Sequence, residues 1–126
     1  MPAVGIAGST FTVEVAAADY SCQVTTGTIT TTPTVTRTRT LCGANFTQTD
    51  LNSTMSINFL YDGNADLYDA LEAGAAAGTS VAVEVATGAN GTWTGAAMWV
   101  DSLDVTFDAA NVATCTVSMQ GDVTYA

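Results

Sequence analysis

The chain has 126 residues, enough for one domain and too few for two. Twelve acids stand against two bases, giving a formal net charge of −10, and there is neither Lys nor His. That excludes a Ser-His-Asp triad, a Cys-His pair, an imidazole metal ligand, a Schiff-base lysine and a phosphate-gripping lysine, and two arginines cannot neutralise the phosphates that nucleic-acid affinity requires.

Met1 to Gly8 is small in side-chain volume and reads as a flexible arm, with neither the basic nor the apolar region of a secretory signal. Phe11, Val13 and Val15 alternate with Thr10, Thr12 and Glu14, the period of a half-buried strand. Tyr20, Cys22 and Val24 continue it after an Ala-rich turn. Thr25 to Thr40 is crowded with threonine, a β-branched strand former. Pro33 cannot donate to a ladder, so it marks an edge or a turn, and two strands are expected around a turn near Thr31–Pro33. Beyond it Thr34, Thr36, Thr38 and Thr40 share one face, and Val35, Arg37, Arg39 and Leu41 the other. Neither face is apolar enough to be a core alone. The segment is a wet hairpin or one that a neighbouring chain covers.

Met55, Ile57 and Phe59 alternate with Thr54, Ser56 and Asn58 in the next strand. Asp62-Gly63-Asn64 breaks it and caps a helix beginning at Asp66, with Leu67, Ala70, Leu71 and Gly74 on one face and Gly78 as the stop. Val81, Val83 and Val85 form a strand; Ala89-Asn90-Gly91 signals a hairpin; Trp93 to Val100 returns. Leu103, Val105 and Phe107 alternate with Asp104, Thr106 and Asp108, and Ala113, Cys115, Val117 and Met119 with Thr114, Thr116, Ser118 and Gln120. The sum is one mainly β domain of six to eight strands: an antiparallel β-sandwich or barrel with one flanking α-helix.

No residue set points to catalysis, a metal or a cofactor. Asp62, Asn64, Asp66 and Asp69 resemble the start of a calcium loop, but Leu67 and Ala73 stand where the EF-hand needs its glycine and its last acid. Three cysteines, Cys22, Cys42 and Cys115, read as small buried hydrophobes of a protein made in a reducing compartment, with a Cys22–Cys42 bridge as the alternative. Trp93 and Trp99 have the same parity on one strand, which suits core or interface anchors, or a sugar-stacking platform. Sheet edges are often guarded by lysine, and this chain has none, so its strands are expected to continue into neighbouring copies. Ring closure would remove the open edges, and gathering so many acids suits a bore that negative cargo passes without sticking.

The order of elements resembles the phage tail tube proteins, the major tail proteins of long-tailed bacterial viruses, related to type VI secretion tubes. The similarity runs from the arm before Phe11-Thr12-Val13-Glu14-Val15 through Ser56-Ile57-Asn58-Phe59-Leu60-Tyr61-Asp62 and the helix Asp66-Leu67-Tyr68-Asp69-Ala70-Leu71 to Val81-Ala82-Val83-Glu84-Val85, Trp93-Thr94-Gly95-Ala96-Ala97 and the ending Val117-Ser118-Met119-Gln120-Gly121. It implies a virion protein assembled in the bacterial host cytoplasm. Its hexameric rings would stack into a tube around a tape measure protein, between distal tail and tail terminator proteins, and would pass DNA without specific binding or any membrane role. Asp104, Thr106 and Asp108, then Thr34, Thr36, Thr38 and Thr40, are the candidates for the lumen. Arg37, Arg39, Trp93 and Trp99 are candidates for contacts between subunits, and the arm and the loops near Pro33 and Asn45 for contacts with the next ring. The alternatives are a secreted or surface carbohydrate-binding β-sandwich, and another virion protein such as a head decoration or tail terminator.

Overall fold

The computed structural model describes residues 7–61, 67–87 and 91–126. After a short 3-10 turn at Gly8–Thr10 come β1 (Thr12–Val15), β2 (Ala18–Asp19), β3 (Val24–Thr40), β4 (Gly43–Leu60), α1 (Leu67–Ala77), β5 (Val81–Ala86), β6 (Thr92–Asp108), β7 (Asn111–Gly121) and β8 (Thr124–Tyr125). All strand pairs are antiparallel, in the order β2-β1-β5-β6-β7-β4-β3, with β8 beside β6. The order has two ends, so the sheet is not closed.

Strand β6 belongs to both layers. Its first half pairs with β5 and its second with β7. One register shift falls opposite the Val81–Val83 step and a second between Val100 and Ser102. Bulges of this kind let a strand turn a corner between packed sheets. The core fills the space between the layers: Val13, Val15, Val83 and Val85 from one, Met55, Ile57, Phe59, Cys115, Val117 and Met119 from the other. Each is the inward member of an alternating pair, as expected. Leu67 and Leu71 of α1 complete the core, and α1 packs on β6.

The helix ends as its sequence dictates. Gly78 has φ +66°, the Gly78 N–H donates to the Ala75 carbonyl, and the Thr79 N–H donates to that of Gly74. This is the Schellman arrangement. At the other terminus the Leu67 N–H donates to Oε1 of Gln23, 44 residues earlier, at 3.2 Å. Asp62, Gly63, Asn64 and Asp66, expected to cap the helix, lie outside the described residues, as do Met1 to Ile6 of the arm and Ala89-Asn90 of the hairpin. The flanks of that hairpin do meet: Ala86 is paired with Thr92, and the Thr87 N–H donates to the Gly91 carbonyl.

Three sequence expectations are corrected. No turn interrupts β3 at Thr31–Pro33. Pro33 stands in the ladder opposite Leu51, tolerated because β3 is the sheet's edge strand and needs no donor on its outer side. The turn comes instead at Leu41-Cys42, between the paired Thr40 and Gly43, so Pro33 and Asn45 are ladder positions and not loops. Tyr20, Cys22 and Val24 do not continue one strand, since β2 has two residues and a turn separates it from β3. Residues 92 to 108 form one strand, not two.

Candidate functional site: a polar sheet face and a projecting arm

Directly opposed residues in an antiparallel ladder share a face, so the register reads out what each side of the sheet presents. On the side away from the core one row runs Thr28–Ser56–Ser118–Ser102, crossing β3, β4, β7 and β6. The next runs Thr26–Asn58–Thr116–Asp104. Asn58 ties its row together: its Nδ2 donates to Thr26 Oγ1 at 2.7 Å, and its Oδ1 accepts from Thr116 Oγ1 at 2.8 Å. A further pair is Thr114–Thr106. These rows present hydroxyls, one amide and one carboxylate, while Leu60 opposite Thr114 and Trp99 opposite Gln120 add exposed apolar surface to the same face.

Asp104 and Thr106 therefore stand on this face together. Asp108 is differently employed. Its carboxylate accepts from the Ala110 N–H and from Asn111 Nδ2, closing the β6–β7 turn. Thr34 is opposite Asp50, on the same polar side, and Thr36, Thr38 and Thr40 follow in alternation opposite Thr47, Asn45 and Gly43. The bulge between Thr34 and Val35 is taken up on β4, where Thr49 has no opposite number.

The last β4 residue paired with β7 is Ser53. Beyond it, Thr32 to Asn52 form a two-stranded arm of about 30 Å with neither layer behind it. Its other face continues the core side of the sheet and carries Pro33, Val35, Arg37 and Arg39 opposite Leu51, Gln48, Phe46 and Ala44. Val35, Phe46 and Leu51 are exposed by 55%, 68% and 44%, too much apolar surface for a segment at rest in water. The sequence places the arginines on this face. It does not reveal that the strand beneath them outruns its own sheet.

The shared face expected of Trp93 and Trp99 does not exist. Trp93 is opposite Val85, on the core side, stacked on Phe11 at 5.9 Å and tilted against Tyr125 at 4.9 Å. The extra residue of β6 before Met98 reverses parity, so Trp99, opposite Gln120, lies on the outer face. Two tryptophans on opposite sides make no sugar platform. None of Cys22, Cys42 and Cys115 is in a disulfide; Cys115 is buried as expected, but Cys22 and Cys42 are exposed, because the turns that carry them lie outside the core. Among the described residues there is no cluster of three metal-ligating side chains, and no helix is long and apolar enough to cross a membrane.

A third feature escaped the sequence reading. Asp19 is opposite Glu14, and Glu14 is opposite Glu84, three carboxylates in one row on the outer side of β2, β1 and β5. Hydrogen bonds from the Ser21 hydroxyl and N–H hold the Asp19 carboxyl below the usual range, so it stays charged. The signal was there in the parity of Glu14 and Glu84, but which acids become neighbours depends on strand order.

No protein-family model matches the chain, and no curated protein matches it by sequence. Solved structures do match it in fold. A chain from the tail of an empty gene transfer agent particle with C6 symmetry superimposes with a TM-score of 0.79 at 11% identity, over 97% of this chain and 98% of that one. A chain from the anti-feeding prophage cap, a tube terminating cap, gives 0.75 at 12% identity, over 100% of this chain and 93% of that one. One from the sheath-tube complex of an extracellular contractile injection system gives 0.73 at 13% identity, over 97% and 91%. The tail-tube-like fold expected from the sequence is the fold of this chain.

Proposed function

We propose that this chain is the structural subunit of a phage-type tail tube, forming hexameric rings that stack around an anionic bore through which DNA passes. One observation carries the reading: on an open-ended sheet, the rows Thr28–Ser56–Ser118–Ser102 and Thr26–Asn58–Thr116–Asp104 offer hydroxyls, one amide and one carboxylate, and no cation. Turned inward, that face makes a wet wall. Six chains of −10 give a ring a formal −60. At about 0.1 M salt the Debye length is about 10 Å, so wall carboxylates act on a nearby phosphate and hold the duplex off, the reverse of the attraction that drives DNA binding. The role is structural and not enzymatic, in a virion tail assembled in the host cytoplasm. Its partners are further copies, a tape measure protein within, and distal tail and terminator proteins at the ends.

The test uses assembled particles carrying Asp104→Lys and Thr106→Lys. Asp108 is left alone because it closes a turn. Tubes should form with normal dimensions, and DNA delivery should fall. Particles that deliver DNA normally would remove Asp104 and Thr106 from the bore. A second reading, a terminator ring, draws on the likeness to a chain of a tube terminating cap. Negative-stain images of the purified chain separate the two: stacked tubes for the first, single closed rings for the second.

A further inference from the structure

The following contact rests on the subunit reading and specifies how one copy holds the next. The row Asp19–Glu14–Glu84 sets like charges directly opposite each other on adjacent strands, an arrangement that destabilises an isolated sheet. All three face outward, because Val13, Val15, Val83 and Val85 between them fill the core. Beside the row lies a shallow depression of about 230 Å³ that Glu14 and Glu84 share with Ala17, Ala82 and Ala96. The only bases in the chain, Arg37 and Arg39, stand on the apolar face of the arm, and the residues opposite them are Phe46 and Ala44, not acids.

The two features sit at opposite ends of the strand order, the arginines on edge strand β3 and the acids on β2, β1 and β5. Unlike ends that fit each other make a head-to-tail contact, which repeats from copy to copy and closes rings or continues as a filament. We propose that Arg37 and Arg39 of one copy dock on the Asp19–Glu14–Glu84 row of the next, with Val35 and Phe46 covering the alanines beside it. A planar guanidinium meets carboxylates bidentately, and the apolar flanks shield the pairs from water. The occupant is a second copy because the charges are complementary within this one sequence: an uncompensated acidic row and an uncompensated basic arm.

Charge exchange in the full-length protein tests it, with assembly followed by sedimentation against concentration and folding by circular dichroism. R37E/R39E and E14R/E84R should each raise the concentration needed for assembly by more than about tenfold. The chain carrying all four changes should recover much of that loss, since the contact reforms with its signs exchanged. E14Q/E84Q keeps size and removes charge; it should weaken assembly and remain folded even if E14R/E84R does not. Assembly of the E14Q/E84Q or E14R/E84R variant at wild-type concentrations would overturn the contact and point to some other basic partner for the row. So would a folded four-fold variant that fails to recover. A wild-type chain that stays monomeric at every concentration would instead remove the subunit reading, and this contact with it.

Discussion

Single atoms in this molecule show where shape overrides chemistry. The hydroxyl of Ser53 is buried without a hydrogen-bond partner, at the point where β4 leaves β7. A buried unpaired hydroxyl costs roughly 1–3 kcal/mol, so Ser53→Ala should stabilise the fold by about 1 kcal/mol, read as a higher denaturant midpoint at unchanged slope. Its ladder partner Gly121 works the other way. A Cβ there would meet the Ala97 carbonyl oxygen at 2.6 Å and the Met98 sulfur at 3.0 Å. The bulge that turns Met98 into the core brings the backbone of β6 over this residue. Gly121→Ala should therefore cost about 1–3 kcal/mol in the same denaturation experiment.

The elements differ in how they hold their shape. The β1–β2 turn places Ala16 and Ala17 at φ 53° and 67°. Positive φ at both central positions belongs to the type I′ hairpin turn, which normally takes Asn-Gly, and each alanine held there costs roughly 1–2 kcal/mol. Ala16→Asn with Ala17→Gly should raise stability by about 1–2 kcal/mol in thermal or denaturant unfolding; an unchanged midpoint would mean that the turn is not under this strain. The arm of β3 and β4 depends on threonine's β propensity, since none of residues 32–52 that form it is buried and a lone two-stranded ribbon is marginal in water. Pro33 and the bulge at Thr49 keep so long an edge from pairing at random. Pro33 and Leu51 are directly opposed, so a two-residue Asn-Gly turn can join them in place of residues 34–50. The shortened protein should unfold at close to the parental temperature and stay monomeric, measured by calorimetry and sedimentation. Assembly of that protein would show that the arm is not a subunit contact.

At the scale of the molecule, 8102 Å² of surface is exposed. A compact monomer of 12.8 kDa exposes about 6,300 Å². The surplus, about 1,800 Å², is about twice the roughly 800 Å² that each partner contributes to a standard protein interface. The exposed apolar arm and the two unlike sheet ends agree with one another: both leave surface open to a second copy.

The sequence alone determined the inward residues, because burial on one face forces alternation of period two. Val81, Val83 and Val85, then Met55, Ile57 and Phe59, are legible without coordinates for that reason, and Gly78 is legible because a helix terminus there needs a positive φ that few other residues adopt. Cross-strand pairing decided the rest. The Leu41-Cys42 turn has no glycine or asparagine at its centre to announce it, and it follows from the register of the long β3–β4 ladder. One extra residue in β6 separated Trp93 from Trp99, and strand order alone made neighbours of Asp19, Glu14 and Glu84. Local alternation fixes which way a side chain points; what it meets across the sheet depends on residues far away in the chain.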